Sequence, residues 1–195
     1  ARHSNVLRKL MRDKNISKKV ALAGMLCALA AAISFLESLI PSVSGFPPGA
    51  KPGFSNLVIM FSAASLGIGQ TFIITIFKAV FAGVTRGVTA FFMSLAGGLL
   101  STGAALLLLR RNKLKLGFIG IGIICAVCHN AAQLCVACVI AGTPKLFVSY
   151  GPPLLIFAAV TGFLTGTALK YILPVLNKQI KHIMKDSNQQ KGLNE

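Results

Sequence analysis

From Leu116 to Ala141 the chain reads LGFIGIGIICAVCHNAAQLCVACVIA. No Asp, Glu, Lys or Arg interrupts it, and it exceeds the roughly 20 residues a helix needs to cross the hydrocarbon core of a bilayer. One such segment could be a buried core helix of a soluble protein. Five more apolar segments accompany it: Lys19 to Ile40, Phe54 to Ile68, Thr71 to Thr85, Val88 to Leu109 and Pro153 to Leu176. Hydrophobic residues make up 54% of the 195, and charged residues only 12%, where a soluble domain has about 25% charged. Mean hydropathy is +0.74. These figures exclude a disordered chain, a disulfide miniprotein and an ordinary soluble enzyme. The expected fold is an all-α integral membrane protein with six transmembrane helices over residues 20–176, between basic tails at 1–19 and 177–195. The second and third segments are short and separated only by Gly69-Gln70, which predicts a tight helical hairpin or two short, tilted helices.

Charge supplies the topology. There are 20 Lys plus Arg against 4 Asp plus Glu, for a net charge of +16. On a soluble protein that excess would point to nucleic acid. Here the basic residues lie between or outside the apolar runs, where they face lipid headgroups and set orientation; no nucleic-acid partner is expected. The N-terminal tail holds Arg2, Arg8, Lys9, Arg12, Lys14, Lys18 and Lys19. The loop after the fourth span holds Arg110, Arg111, Lys113 and Lys115, and the C-terminal tail Lys178, Lys181, Lys185 and Lys191. With six spans all of these share one face, and only Lys51, Arg86 and Lys145 lie on the other. The expectation is a multi-pass protein of a bacterial plasma membrane with both termini cytoplasmic. The outer loop Pro41 to Gly53, PSVSGFPPGAKPG, is too rich in Pro and Gly for regular structure.

Ionisable groups within a span cost about 2.5–3.5 kcal/mol on insertion scales, so each is a functional candidate. Glu37 lies near the outer end of the first span, Lys78 near the middle of the third and Arg86 at its outer end. Lys170, near an inner end, is placed to snorkel. Glu37 could pair with Lys78 or Arg86 and fix packing, or all three could face one cavity. The Leu116–Ala141 segment adds His129, Asn130 and Gln133. Its Cys125-x-x-Cys128-His129 string has the form of a haem-attachment signature and its paired cysteines resemble zinc spacing, but both lie deep within a span. On a helical wheel starting at Cys125 the four cysteines fall at about 220–360°, while His129, Gln133 and Asn130 fall at about 40°, 80° and 140°. The cysteines therefore form a packing stripe, and the polar trio forms a second stripe suited to a ligand or to interhelical hydrogen bonds. No metal site and no cofactor is expected.

In the first span Gly24, Ala28 and Ala32 recur every four residues. Such a stripe lets another helix approach closely, either a neighbour within the bundle or a partner protein. No P-loop is present. Asp13 and Asp186 are the only aspartates, so no Asp-rich motif exists to hold Mg²⁺ on a diphosphate, and the chain itself is not expected to be a catalyst.

An ordered set of short motifs carries a family resemblance. Leu36-Glu37-Ser38-Leu39-Ile40-Pro41, Lys51-Pro-Gly53-Phe-Ser-Asn56, Arg86-Gly87, Leu95-Ala-Gly97-Gly98 and His129-Asn130-x-x-Gln133 resemble the membrane family labelled heptaprenyl diphosphate synthase component I, also called the Gx transporter family. The resemblance runs from about Val20 to Lys170. The family often has Gly between the Asn and Gln, where this chain has Ala131-Ala132. It implies a six-helix bundle similar to the substrate-binding S components of energy-coupling factor transporters. It also implies that Lys51 and Asn56 join Glu37, Lys78, Arg86, His129, Asn130 and Gln133 in the ligand set. By the same resemblance Gly24, Ala28 and Ala32 would dock a transmembrane coupling subunit with its ATPases. The expected function is binding of a small, anionic or amphipathic ligand from the outer face. The alternative is a non-catalytic accessory subunit of polyprenyl diphosphate synthesis, working beside a soluble prenyl synthase.

Overall fold

The structure is a computed structural model and describes residues 2–39, 53–111 and 116–192. These form six α-helices, with no strand among the described residues: α1 (Arg2–Leu39), α2 (Asn56–Ser65), α3 (Ile68–Arg86), α4 (Val88–Arg111), α5 (Phe118–Ala141) and α6 (Lys145–Gly192). Five contain apolar stretches long enough to cross a membrane, namely Lys19–Leu39, Ile68–Arg86, Val88–Leu109, Phe118–Ala141 and Lys145–Val175. The chain is an all-α membrane protein. Its outer surface is strongly apolar: Val84, Val139 and Val148 are each 80–82% exposed, a surface that only lipid or another membrane protein can cover.

α2 is shorter than the Phe54 to Ile68 segment read from hydropathy. Its 10 residues rise about 15 Å, half the thickness of the hydrocarbon core. A helix that is apolar on all sides is stable only when buried. Asn56 and the run Val58 to Ala63 are buried accordingly, with α1, α3, α4 and α6 packed around them. The break after α2 falls at Gly67, where φ is +135°, a backbone conformation that glycine alone adopts readily. Gly69 and Gln70, expected to separate two helices, lie in the first turn of α3, which is long enough to span without help from α2.

The helices alternate in direction. Val20, Gly24 and Cys27 of α1 share a surface groove with Gly69, Gln70 and Ile73 at the start of α3. Ala63 to Gly67 at the end of α2, Leu109 of α4, Phe118 of α5 and Leu173 of α6 share a second cavity of about 330 Å³. These residues mark one end of the bundle. At the other end Arg86 of α3 meets Ser34 of α1, and Gly87, at φ +92°, turns the chain directly into α4. Both tails continue as helix: α1 begins at Arg2, and α6 begins at Lys145, ahead of the expected Pro153, and runs to Gly192. Pro152, Pro153 and Pro174 lie inside α6, each removing one amide donor.

α5 and α6 form the most extensive helix pair, and glycine makes that possible. A Cβ placed on Gly122 would sit 2.4 Å from the Gly162 carbonyl oxygen, and one on Gly166 would sit 2.6 Å from the Ile119 Cα. Backbone meets backbone here, as at small-residue crossings in membranes. This contact fixes α5, and with it the polar trio, against the rest of the bundle.

Candidate functional site

Helix spacing collects the polar side chains. Ser34 and Glu37 are three residues apart on α1, so they share a face, and both are buried. Lys78 and Arg86 project from α3, Ser94 from α4, and His129 and Gln133, one turn apart, from α5. Gly53 and Ser55, in the turn that enters α2, complete the wall with Ala90 and Met93. The enclosed space is about 10 Å³, room for about one water molecule.

Glu37 hydrogen-bonds to neither cation. Its Oε1 accepts the Phe54 amide N–H, and its Oε2 accepts the Ser55 hydroxyl at 3.1 Å. Phe54 and Ser55 lead into α2, whose N-cap Ser55 makes no capping bond of its own. Glu37 therefore ties α1 to the turn that leads into α2, while the Asn56 and Leu57 amides of the helix start donate to the Gly53 and Phe54 carbonyls. The Lys78 ammonium donates to Asn56 Oδ1 at 2.8 Å. Arg86 Nη2 reaches Ser34 Oγ only at 3.5 Å, and its buried Nε has no partner. Among the described residues no ion pair joins Glu37 to Lys78 or Arg86.

His129 is 2% exposed and gripped from three sides. Its Nε2 lies 2.7 Å from Gln133 Nε2; which of the two donates depends on the imidazole tautomer and the amide orientation. A Cβ on Gly97 would lie 2.8 Å from both Cε1 and Nδ1 of the ring, and one on Gly53 would lie 3.1 Å from Cδ2. Gly53 also has φ +82°, so both backbone conformation and space demand glycine there. The imidazole is thus a slab between a glycine of α4 and a glycine of the α2 turn. Gln133 Oε1 and Ser94 Oγ are buried without partners. Uncommitted donors and acceptors on Arg86, Ser94 and Gln133 converge on one small space, where unsatisfied polar groups are otherwise rare.

Residues 26–172 match the family described as heptaprenyl diphosphate synthase component I. The chain belongs to that family. No curated protein and no solved structure matches it. In this member of the heptaprenyl diphosphate synthase component I family, the matched stretch contains every residue lining the cavity.

Of the ligand set read from sequence, Glu37, Lys78, Arg86, His129 and Gln133 line the cavity. Asn56 borders it through Lys78. Asn130 is buried with its Nδ2 unpaired but does not line the cavity, in keeping with its distance around the wheel from Gln133. Lys51 lies outside the described residues. Sequence reading passed over Ser34 and Ser94, since a lone serine in a span is unremarkable until its neighbours are known, and Ser55 stood in the Lys51–Asn56 motif without a role of its own. Gly53 and Gly97 stood in the family motifs, yet their task, making room for His129, is visible only in three dimensions.

On α1, Gly24, Ala28 and Ala32 are exposed, whereas Ala31 is buried and Ala23 and Cys27 are partly buried. A Cβ on Gly24 would meet nothing within 4 Å. The stripe is not used for packing among the described residues. The cysteines of α5 range from buried Cys125 to exposed Cys135, all as free thiols.

Proposed function

We propose that the protein is a membrane-embedded substrate-binding component, similar in plan to the S components of energy-coupling factor transporters, that takes a small anionic or amphipathic ligand from the outer face. The observation that supports this reading is the cavity beneath the α2 turn. Two cations, one carboxylate and a hydrogen-bonded His–Gln pair converge inside an apolar bundle, with donors on Arg86 and Ser94 left over. Packing alone gives no reason to keep such groups within a membrane, where each is expensive. The cations outnumber the carboxylate, which favours a carboxylate or phosphate group on the ligand.

The basic tails and the basic loop after α4 orient both termini to the cytoplasm under the positive-inside rule. Glu37, 18 residues after Lys19 on the same helix, is then about 27 Å further up, so the cavity lies in the outer half of the bilayer. No cofactor is invoked. The exposed Gly24, Ala28 and Ala32 stripe is assigned to a transmembrane coupling subunit with associated ATPases.

The family's description favours a second reading, a non-catalytic membrane subunit of polyprenyl diphosphate synthesis. Native mass spectrometry of the gently extracted protein separates the two. A small bound anion and an ATPase pair support the first. A prenyl diphosphate and a soluble Asp-rich synthase support the second and overturn the first.

A further inference from the structure

We infer that the site is tuned for a singly charged anion, and that Glu37 is the residue that sets this preference. The inference rests on the ligand-binding reading above and narrows it from any acidic group to a monoanion such as a carboxylate.

The argument is a charge count. The charged or titratable groups that face the cavity among the described residues are Glu37 from α1, Lys78 and Arg86 from α3, and His129 from α5. The α2 turn and α4 present only Ser55 and Ser94 as polar side chains. Both oxygens of Glu37 accept hydrogen bonds from neutral donors, the Phe54 amide and the Ser55 hydroxyl, as an ionised carboxylate does. Counting the described groups alone, with His129 taken up by its contact to Gln133, the site carries +2 from the cations and −1 from Glu37. One negative charge brings it to zero. A dianion leaves a net −1 enclosed between buried helices. Its attraction to the cations grows in proportion to its charge, but its desolvation cost grows as the square. Glu37 spends its hydrogen bonds on the α2 turn, so it lowers the total charge of the site without occupying the donors that an anion needs. It acts as a specificity-determining residue.

The test uses two probes with the same methyl body, acetate and methyl phosphate, titrated calorimetrically into the full-length protein in nanodiscs at constant ionic strength. A phosphate monoester passes from one negative charge to nearly two as pH rises through about 6. Methyl phosphate should therefore bind the unaltered protein about tenfold more weakly at pH 8 than at pH 5.5. Acetate experiences the same Lys78, the same His129 and the same backbone, and serves as the control for all three; the ratio of the two affinities is the quantity read. In Glu37→Gln, which retains an acceptor for the α2 turn, the site rises to +2 and methyl phosphate at pH 8 should overtake acetate. A methyl phosphate to acetate ratio that is constant or rises with pH in the unaltered protein overturns the inference while leaving an anion site in place. Failure of both probes to bind overturns the ligand-binding reading and the inference with it. The pH series on the unaltered protein decides the matter even if Glu37→Gln does not fold.

Discussion

Replacing Lys78 by methionine distinguishes a lysine kept for a ligand from a lysine kept for structure. Lys78 is 3% exposed, and its ammonium donates to Asn56 Oδ1. Were it the structural counter-ion of Glu37, its loss would strand a buried carboxylate and cost about 3–5 kcal/mol. The geometry predicts much less, because Glu37 is already held by Phe54 and Ser55. Removing a lysine from mid-span regains about 2.5–3.5 kcal/mol on insertion scales. Against this stand the lost charged hydrogen bond, about 1.5–3 kcal/mol, and the unpaired Asn56 oxygen, about 1–3 kcal/mol. The balance is a destabilisation of about 1 kcal/mol for Lys78→Met. Adding Asn56→Leu removes the orphaned oxygen and should recover about 2 kcal/mol, leaving the double variant at or slightly above the parent. Unfolding of ligand-free protein in mild detergent, followed by cysteine exposure, reports the stabilities, and acetate calorimetry reports the site. Both variants should fold and neither should bind anion. A loss of more than about 3 kcal/mol in Lys78→Met, unrelieved by Asn56→Leu, would refute this account and make Lys78 a structural counter-ion.

Other substitutions test other parts of the argument. Gly97→Ala drives a Cβ to 2.8 Å from His129 Cε1 and Nδ1, so it should destabilise by about 1–3 kcal/mol as an overpacked site and weaken anion binding; unchanged binding would show that the imidazole's position is unimportant. Gly122→Leu meets backbone atoms of α6 that cannot turn aside and should abolish monodisperse folded protein on size-exclusion chromatography, whereas Gly24→Leu, facing open space, should not. Ala28→Trp should prevent copurification of a membrane partner while leaving acetate affinity intact; an undiminished partner would remove the α1 stripe from consideration. Single cysteines placed in either tail of a cysteine-depleted chain should resist impermeant reagents applied to intact cells, and efficient labelling from outside would reverse the topology.

Much of the fold is legible in the sequence because lipid imposes a simple rule. Long apolar runs must be helices, since nothing else satisfies their backbone, and four of the five long spans could be bounded within a few residues apart from the early start of α6. The polar trio on α5 was legible as a pattern, because 100° per residue separates His129 and Gln133 from the cysteines whatever the helix packs against. α2 was not, because hydropathy measures distance from water and a helix buried in protein scores like one buried in lipid. Nor were the partners of Glu37 and Lys78 legible. Opposite charges in one membrane suggest a mutual pair, and only the fold shows the residues from Phe54 to Asn56 satisfying each of them separately. Ser34 and Ser94 acquire meaning only once α1, α3 and α4 have been brought together.

The short second helix and the polar site are consequences of one arrangement. Non-helical backbone is tolerated at membrane depth only where protein encloses it or where it borders a polar cavity. A half-length α2 necessarily begins within the bundle, and the turn ahead of it brings the Phe54 amide and the Ser55 hydroxyl with it. Some acceptor must meet them there, and Glu37 from α1 does so. Lys78 and Arg86 of α3 border the same cavity and outnumber that carboxylate by one. The excess is not cancelled by any ion pair among the described residues. A purely structural solution would have capped α2 with its own serine and filled the space with leucine. Retaining a carboxylate, two cations and a histidine wedged between glycines costs stability at each step, and an anion completing the set is the compensation proposed above.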